Sequence, residues 1–307
     1  MLLKDGNLEQ KNKLKNWAST ASVSVSALLA LLKIAAAIAT GSLAILSSLI
    51  DSLADIFASS ITWVAVRFSS RPATFDHRYG YGKVEAISAL VQAAFIAGSG
   101  IFVLYDGIYR IFYPTEVEKA GIGMLIMAVS LVATLGLIAF QKFVAKKTGS
   151  IAIAADSDHY TVDVVTNVSI IITLAVVDMF GFDWFDTLTA SVVSIFLLVN
   201  AYKLAGRAIS TLTDAELPVE VRKKVCEIVM SSPFAKGLHD LRTRDLGGAY
   251  MFEFHLELDG DLPLSAAHEM TEAVEENIWE EFPNAQIIIH QDPVGIDEER
   301  LDRKLVK

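Results

Sequence analysis

Residues 43–66 read LAILSSLIDSLADIFASSITWVAV, a stretch long and apolar enough to cross a bilayer that nevertheless carries two carboxylates, Asp51 and Asp55. A spanning helix needs about 20 largely apolar residues. Five further stretches meet that length: 17–39, 85–108, 120–142, 153–177 and 184–206. Short connections join them, so the reading is a polytopic α-helical membrane protein with six transmembrane helices. Composition agrees, because hydrophobic residues make up 53% of the 307 and charged residues only 20%, above and below the ranges usual for soluble domains.

Charge divides the chain in two. Residues 1–206 carry 15 acidic and 15 basic side chains, whereas 207–307 carry 21 and 11, so the whole net charge of −10 lies in the second part. The expected organisation is a cytoplasmic N-terminal tail at 1–16, a neutral six-helix transmembrane bundle at 17–206 and an acidic, water-soluble domain at 207–307. The acidic excess argues against a nucleic-acid partner. The single cysteine, Cys226, excludes an intramolecular disulfide framework and a Cys-rich zinc site. It reads as a small apolar core residue.

Basic residues orient the bundle in its lipid bilayer. Lys4, Lys11, Lys13 and Lys15 precede the first span, and Arg67, Arg71, Arg78 and Lys83 follow the second. Lys142, Lys146 and Lys147 follow the fourth, and Lys203 and Arg207 end the sixth. The alternate connections are poor in positive charge: 40–42 and 178–183 have none, and 109–119 has only Arg110 and Lys119. Both termini are therefore expected in the cytoplasm. A cleaved leader is not expected, since the first apolar segment exceeds a signal h-region and contains Lys33. Lys33 itself reads as a side chain reaching an interface or a polar cavity.

The fifth span repeats the anomaly of the second, with Asp158-His159-Tyr160-Thr161-Val162-Asp163-Val164. At a rise of 1.5 Å per residue, Asp51 and Asp55 sit roughly 12–18 Å from the outer end of their helix, and His159 and Asp163 roughly 9–15 Å from the inner end of theirs. A carboxylate at that depth costs about 2.5–3.5 kcal/mol on insertion scales, so it needs a compensating partner. Each pair is spaced i, i+4, which puts both side chains on one helix face. Two such faces opposed give three carboxylates and an imidazole around one point, a donor set suited to tetrahedral Zn²⁺ and tolerable for other divalent transition metals. The competing reading is a polar network of acids bonded to Ser and Thr of neighbouring helices. Two pairs on separate helices favour the cation site. Each pair also falls on the second helix of a three-helix half, and the halves enter from opposite sides, the plan of an inverted repeat with its site at the repeat interface.

At these residues the chain resembles the cation diffusion facilitator family, in particular its bacterial zinc and iron efflux members. The matching motifs are Ser48-Leu49-Ile50-Asp51-Ser52-Leu53-Ala54-Asp55, His159-Tyr160-Thr161-Val162-Asp163-Val164-Val165-Thr166-Asn167, Gly80-Tyr81-Gly82-Lys83-Val84-Glu85 and Ile289-His290-Gln291-Asp292-Pro293. The resemblance implies a homodimer that exports divalent metal from the cytoplasm in exchange for protons, with Asp51, Asp55, His159 and Asp163 as the transport site. It implies Zn²⁺ as substrate and regulatory ligand, with Cd²⁺, Fe²⁺ and Co²⁺ as further substrates. Manganese members tend to lack the histidine. The same resemblance places the protein in a bacterial inner membrane. The loop after the second span departs from the family pattern. His77 is kept, but Thr74 stands at the expected Asp and Tyr81 at the second His, leaving His77 and Asp76 as a degenerate site at most. A surface histidine is the preferred reading there. Lys83 and Asp214 match a family ion pair linking the two domains, and charge reversal at Lys83 is expected to impair metal flux into vesicles.

In the acidic part, 218–231 and 264–282 have helical patterning, and 237–246, 249–258 and 285–291 read as strands. The order αββαβ suits a small two-layer α+β domain, and the family has a metallochaperone-like domain of this order that dimerises. His290 and Asp292, two apart on one strand, share a face. With His239, His255 and, on the helix, His268, they match family positions for cytoplasmic metal sites.

Metal ligation requires deprotonated Asp and neutral His, so metal and protons compete for the same atoms. That competition is the basis of the expected antiport by alternating access. Two other classes compete with it. An intramembrane metallo-hydrolase would keep a ligand position for water, which a four-ligand set closes, so no enzyme is expected. A membrane-tethered metal sensor would not need three midplane carboxylates.

Overall fold

A computed structural model describes residues 5–40, 43–112, 121–180, 184–295 and 300. Six long helices come first: α1 (Asp5–Thr40), α2 (Leu43–Ser69), α3 (Val84–Phe112), α4 (Gly121–Thr148), α5 (Ile151–Phe180) and α6 (Trp184–Leu212). Among the described residues, Glu9–Ala35, Val84–Tyr109, Ala128–Thr148 and Leu188–Leu212 are long and apolar enough to cross a membrane. The other two long helices, α2 with 27 residues and α5 with 30, span about 40–45 Å at 1.5 Å per residue, ample for a bilayer. They are the two that carry the acid and histidine pairs. α1 is helical from Asp5, so most of the stretch expected as a tail continues the first span. The helix formers Glu9, Gln10, Lys11 and Lys13 account for this.

The chain forms two compact units, Lys11–Ile209 and Ser210–Lys307 with Met1–Gln10. Within the first, α5 packs on α2, α3 and α4. Small residues allow close approach of helices in lipid, and Ala18 and Ala152 do so within a buried cluster completed by Val66, Val144 and Ile153. α3 and α6 approach closely where a Cβ on Gly107 would lie 2.6 Å from Ala190 Cβ. Overpacking of this kind costs about 1–3 kcal/mol. Gly107→Ala is therefore expected to lower the thermal midpoint of the purified protein by several degrees, as read in detergent.

The second unit contains α7 (Val219–Met230), β1 (Gly237–Asp245), β2 (Tyr250–Leu258), α8 (Leu264–Glu281) and β3 (Gln286–Pro293). The sheet order is β1-β2-β3, antiparallel between β1 and β2 and parallel between β2 and β3. A parallel pair needs a crossover connection, which α8 supplies. The β1–β2 hairpin closes at Leu246–Ala249, where Gly247 and Gly248 adopt φ of 87° and 108° and donate their N–H groups to Asp245 Oδ1. Phe252, Phe254, Leu256 and Leu258 point from one face of β2 into a core completed by Val225, Val229, Val274 and Ile278 of the two helices. Strand alternation then turns Glu253, His255 and Glu257 to the opposite face.

Candidate metal centres

In the membrane unit, α2 and α5 bring Asp55, His159 and Asp163 together, with donor atoms all within 4.8 Å of one another. His159 Nε2 lies 3.3 Å from Asp55 Oδ1 and 3.7 Å from Asp163 Oδ2. A tetrahedral ion with bonds of about 2.0–2.1 Å holds neighbouring donors about 3.3–3.4 Å apart, so small shifts would seat a zinc-sized ion. The His159 side chain is 8% exposed, and those of Asp55 and Asp163 are 24% and 35% exposed. Asp51 lies on α2 one turn from Asp55, but its side chain is outside the described ones.

Two further side chains stand beside this site, and the sequence reading assigns neither of them to it. Lys33 Nζ donates to Ser52 Oγ at 2.7 Å, bringing a cation to the residue between Asp51 and Asp55. Asp156, wholly buried, accepts from Ser22 Oγ at 2.6 Å and Gln141 Nε2 at 2.5 Å through Oδ2, and from Ser59 Oγ at 3.4 Å through Oδ1. The signal for Asp156 is its spacing: 156, 159 and 163 follow i, i+3, i+7 on one helical face. It is the acid that realises the Ser-bonded network weighed above, while Asp55, His159 and Asp163 converge on one another instead.

In the α+β unit, the strand register sets His239 opposite His255 and His255 opposite His290, one row across the helix-free face. Neighbouring imidazole centroids are 4.9 and 4.7 Å apart. Asp292 completes the row's donor set. Its Oδ2 lies 2.7 Å from His255 Nδ1 and 3.6 Å from His239 Nε2, and its Oδ1 lies 3.2 Å from His290 Nε2. Oδ2 thus faces His255 and His239 while Oδ1 faces His290, and His239, His255 and Asp292 form the group whose donor atoms lie within 4.8 Å of one another. A β-bulge follows His239, with Asp240 at φ 51°. Bulges of this kind re-aim side chains beside functional sites.

Glu257 belongs to this cluster although the sequence reading passes over it. Its Oε1 is 3.3 Å from His239 Nδ1 and also accepts from Arg300. Its signal was the alternation itself, two residues beyond His255 on β2. His268 stands apart on α8, exposed and 3.5 Å from Glu272 of the same helix. In the loop between α2 and α3, Asp76 and His77 are exposed. The His77 ring packs 4.5 Å from that of Tyr81, whose hydroxyl lies 3.0 Å from Thr74 Oγ1. Among the described residues, neither His268 nor the Asp76–His77 pair joins a group of three candidate ligands. Asp214, at φ 56°, lies 3.5 Å from Arg244 within its own unit.

A bundle of membrane-length helices enclosing an Asp–His–Asp cluster, continued by an α+β unit with a histidine row, defines a membrane protein with two clusters of metal-ligating side chains. Residues 19–213 match the cation efflux transmembrane domain, and 217–294 match the cytoplasmic domain of cation efflux proteins. The chain belongs to this family, the cation diffusion facilitators. It is 38% identical over 287 residues to the cation-efflux pump FieF of Serratia proteamaculans, covering 94% of this chain and 95% of that protein. Against FieF of Shewanella oneidensis it is 40% identical over 280 residues, 91% of this chain and 94% of the relative. These relatives are pumps, not enzymes. A solved structure, the metal-bound C-terminal domain of the CzcD transporter from Thermotoga maritima, is 23% identical and covers 26% of this chain and 94% of that one, with a TM-score of 0.25.

Proposed function

We propose that this chain is a homodimeric divalent-cation efflux transporter of a bacterial inner membrane, with both termini cytoplasmic, that exchanges cytoplasmic Zn²⁺ for protons. Cd²⁺, Fe²⁺ and Co²⁺ are further substrates compatible with the donor set. The convergence of Asp55, His159 and Asp163 from α2 and α5 carries the reading. Asp51 is assigned as the fourth ligand, one turn along α2.

The cycle follows from ligand chemistry. The ion binds the deprotonated carboxylates and the neutral His159 Nε2 while the site faces the cytoplasm. After the bundle reorients, protons arriving from the outside displace the ion from the same atoms. Those protons return inward when the site turns back. His239, His255, His290 and Asp292 bind metal in the cytoplasm and favour the transport-competent dimer. In proteoliposomes, inward zinc flux measured with the dye-reported interior more acidic than the bath should exceed flux without a gradient by about tenfold, the factor carried by one pH unit across a site that exchanges a proton. Zinc flux indifferent to the pH gradient would remove proton exchange from this scheme.

A further inference from the structure

The buried carboxylate of Asp156 has no part in the cycle described so far. It gathers three donors from three other helices: Ser22 on α1, Ser59 on α2 and Gln141 on α4. Ser59 in turn lies 2.9 Å from Ser22 Oγ and 2.7 Å from the Tyr160 hydroxyl. Asp156 is about one turn from His159 toward the start of α5, and Ser59 about one turn from Asp55 toward the end of α2. The network therefore lies between the candidate metal site and the end of the bundle where α1, α3 and α5 begin.

A second layer sits closer to that end. Glu85 Oε1 accepts from Lys15 Nζ at 2.8 Å and Ser69 Oγ at 2.9 Å, and Oε2 from Ser150 Oγ at 2.5 Å. These contacts join α1, the last turn of α2, the first turn of α3 and the residue preceding α5. Ser22, Ser59, Gln141 and Asp156 are each 0% exposed, whereas the Asp55 and Asp163 side chains keep 24% and 35% of their exposure. Both layers lie between His159 and this end of the bundle.

We propose that Asp156 is the keystone of a polar latch that closes the Asp55–His159–Asp163 site toward the cytoplasm, and that parting its bonds to Ser22, Ser59 and Gln141 opens the site inward. This rests on the transport reading and its orientation. Apolar packing would seal the same passage, and a buried ionic network is weak evidence of added stability, since apolar replacements are often as stable. Hydrogen bonds to a carboxylate are directional and strong in a dry interior. Once the helices separate, water can satisfy the same groups. The latch groups thus have partners in both arrangements, as a reversible gate requires. Asp156 is a positioning residue here: it acts on access to the ligands, not on the ion.

The test uses the full chain carrying Cys226→Ser and a reporter thiol, Ser52→Cys, placed one turn from Asp55 and 2% exposed. A membrane-impermeant maleimide is applied to everted vesicles and, separately, to right-side-out vesicles. Ser22→Ala, Ser59→Ala and Asp156→Asn are each expected to raise labelling from the cytoplasmic side about tenfold, the factor carried by one hydrogen bond to a charged group. Labelling from the opposite side should fall. Unchanged labelling in all three variants, or an equal rise from both sides, overturns the latch, because loosened packing exposes the thiol without preference. A shift of the opposite sense keeps the latch and overturns the assigned orientation. No metal flux is read in this assay, so failure of the transport reading would register separately, in the flux measurements.

Discussion

Asp55→Ala should lower zinc uptake into everted vesicles by about 100-fold or more while leaving the protein folded and no less stable. The size follows from the ligand geometry. Loss of an outer-shell partner alone typically costs 10–100-fold in metal affinity or activity, and Asp55 supplies an oxygen 3.3 Å from His159 Nε2 within the cluster itself. The stability expectation runs the other way. Removing the Asp55 carboxylate relieves an insertion cost of about 2.5–3.5 kcal/mol at membrane depth, which offsets the loss of its 3.3 Å contact with His159 Nε2. Flux and thermal midpoint, measured on the same preparation, should therefore diverge. A membrane-tethered sensor would keep its output in this variant. Asp51→Ala, tested alongside with Zn²⁺, Fe²⁺, Cd²⁺ and Mn²⁺, examines the fourth ligand and the order of preference among ions.

His255→Ala should weaken metal binding by the α+β unit by about 100-fold, by the same ligand-loss reasoning, with the membrane site unaffected. His255 stands in the middle of the row, flanked by His239 and His290 at 4.9 and 4.7 Å and bonded to Asp292 at 2.7 Å. Its removal disrupts whatever ion sits on either side. Asp292→Asn should match it, because the two Asp292 oxygens serve both flanks. His290→Ala should leave the His239 flank competent, with one ion lost and not all. Calorimetric stoichiometry on the full chain in detergent separates these results. Affinity at every site should fall on acidification, since protons compete for each ligand atom.

The features legible in sequence were those written in local periodicity. Six apolar stretches, two i, i+4 pairs and the alternation from Met251 to Leu258 each declare a helix or strand without help from distant residues. The helical start of α1 left no periodic mark, because a charged segment such as Glu9–Lys15 has no apolar stripe although its residues favour helix. Glu257 and Asp156 each carry a local mark, alternation and spacing, but that mark does not name their partners. Their meaning comes from partners contributed by other elements: Glu257 needs the β1–β2 register to find His239, and Asp156 needs three more helices to find Ser22, Ser59 and Gln141. The bulge after His239 is likewise a property of the paired strands, with no mark in β1 alone.

The register that lines up the histidines also makes the row a fastener. His239 stands on the first strand of the α+β unit and Asp292 on the last, so an ion holding both would close a loop running through β2 and α8. An ion bound only by the folded form adds about 4 kcal/mol at a thousand times its dissociation constant. Cells rich in metal would then hold this unit shut against proteases, and cells short of it would leave β3 freer to fray. The lifetime of the protein in the membrane, and hence its abundance, would rise with the cytoplasmic metal it is proposed to remove, without any change in its synthesis.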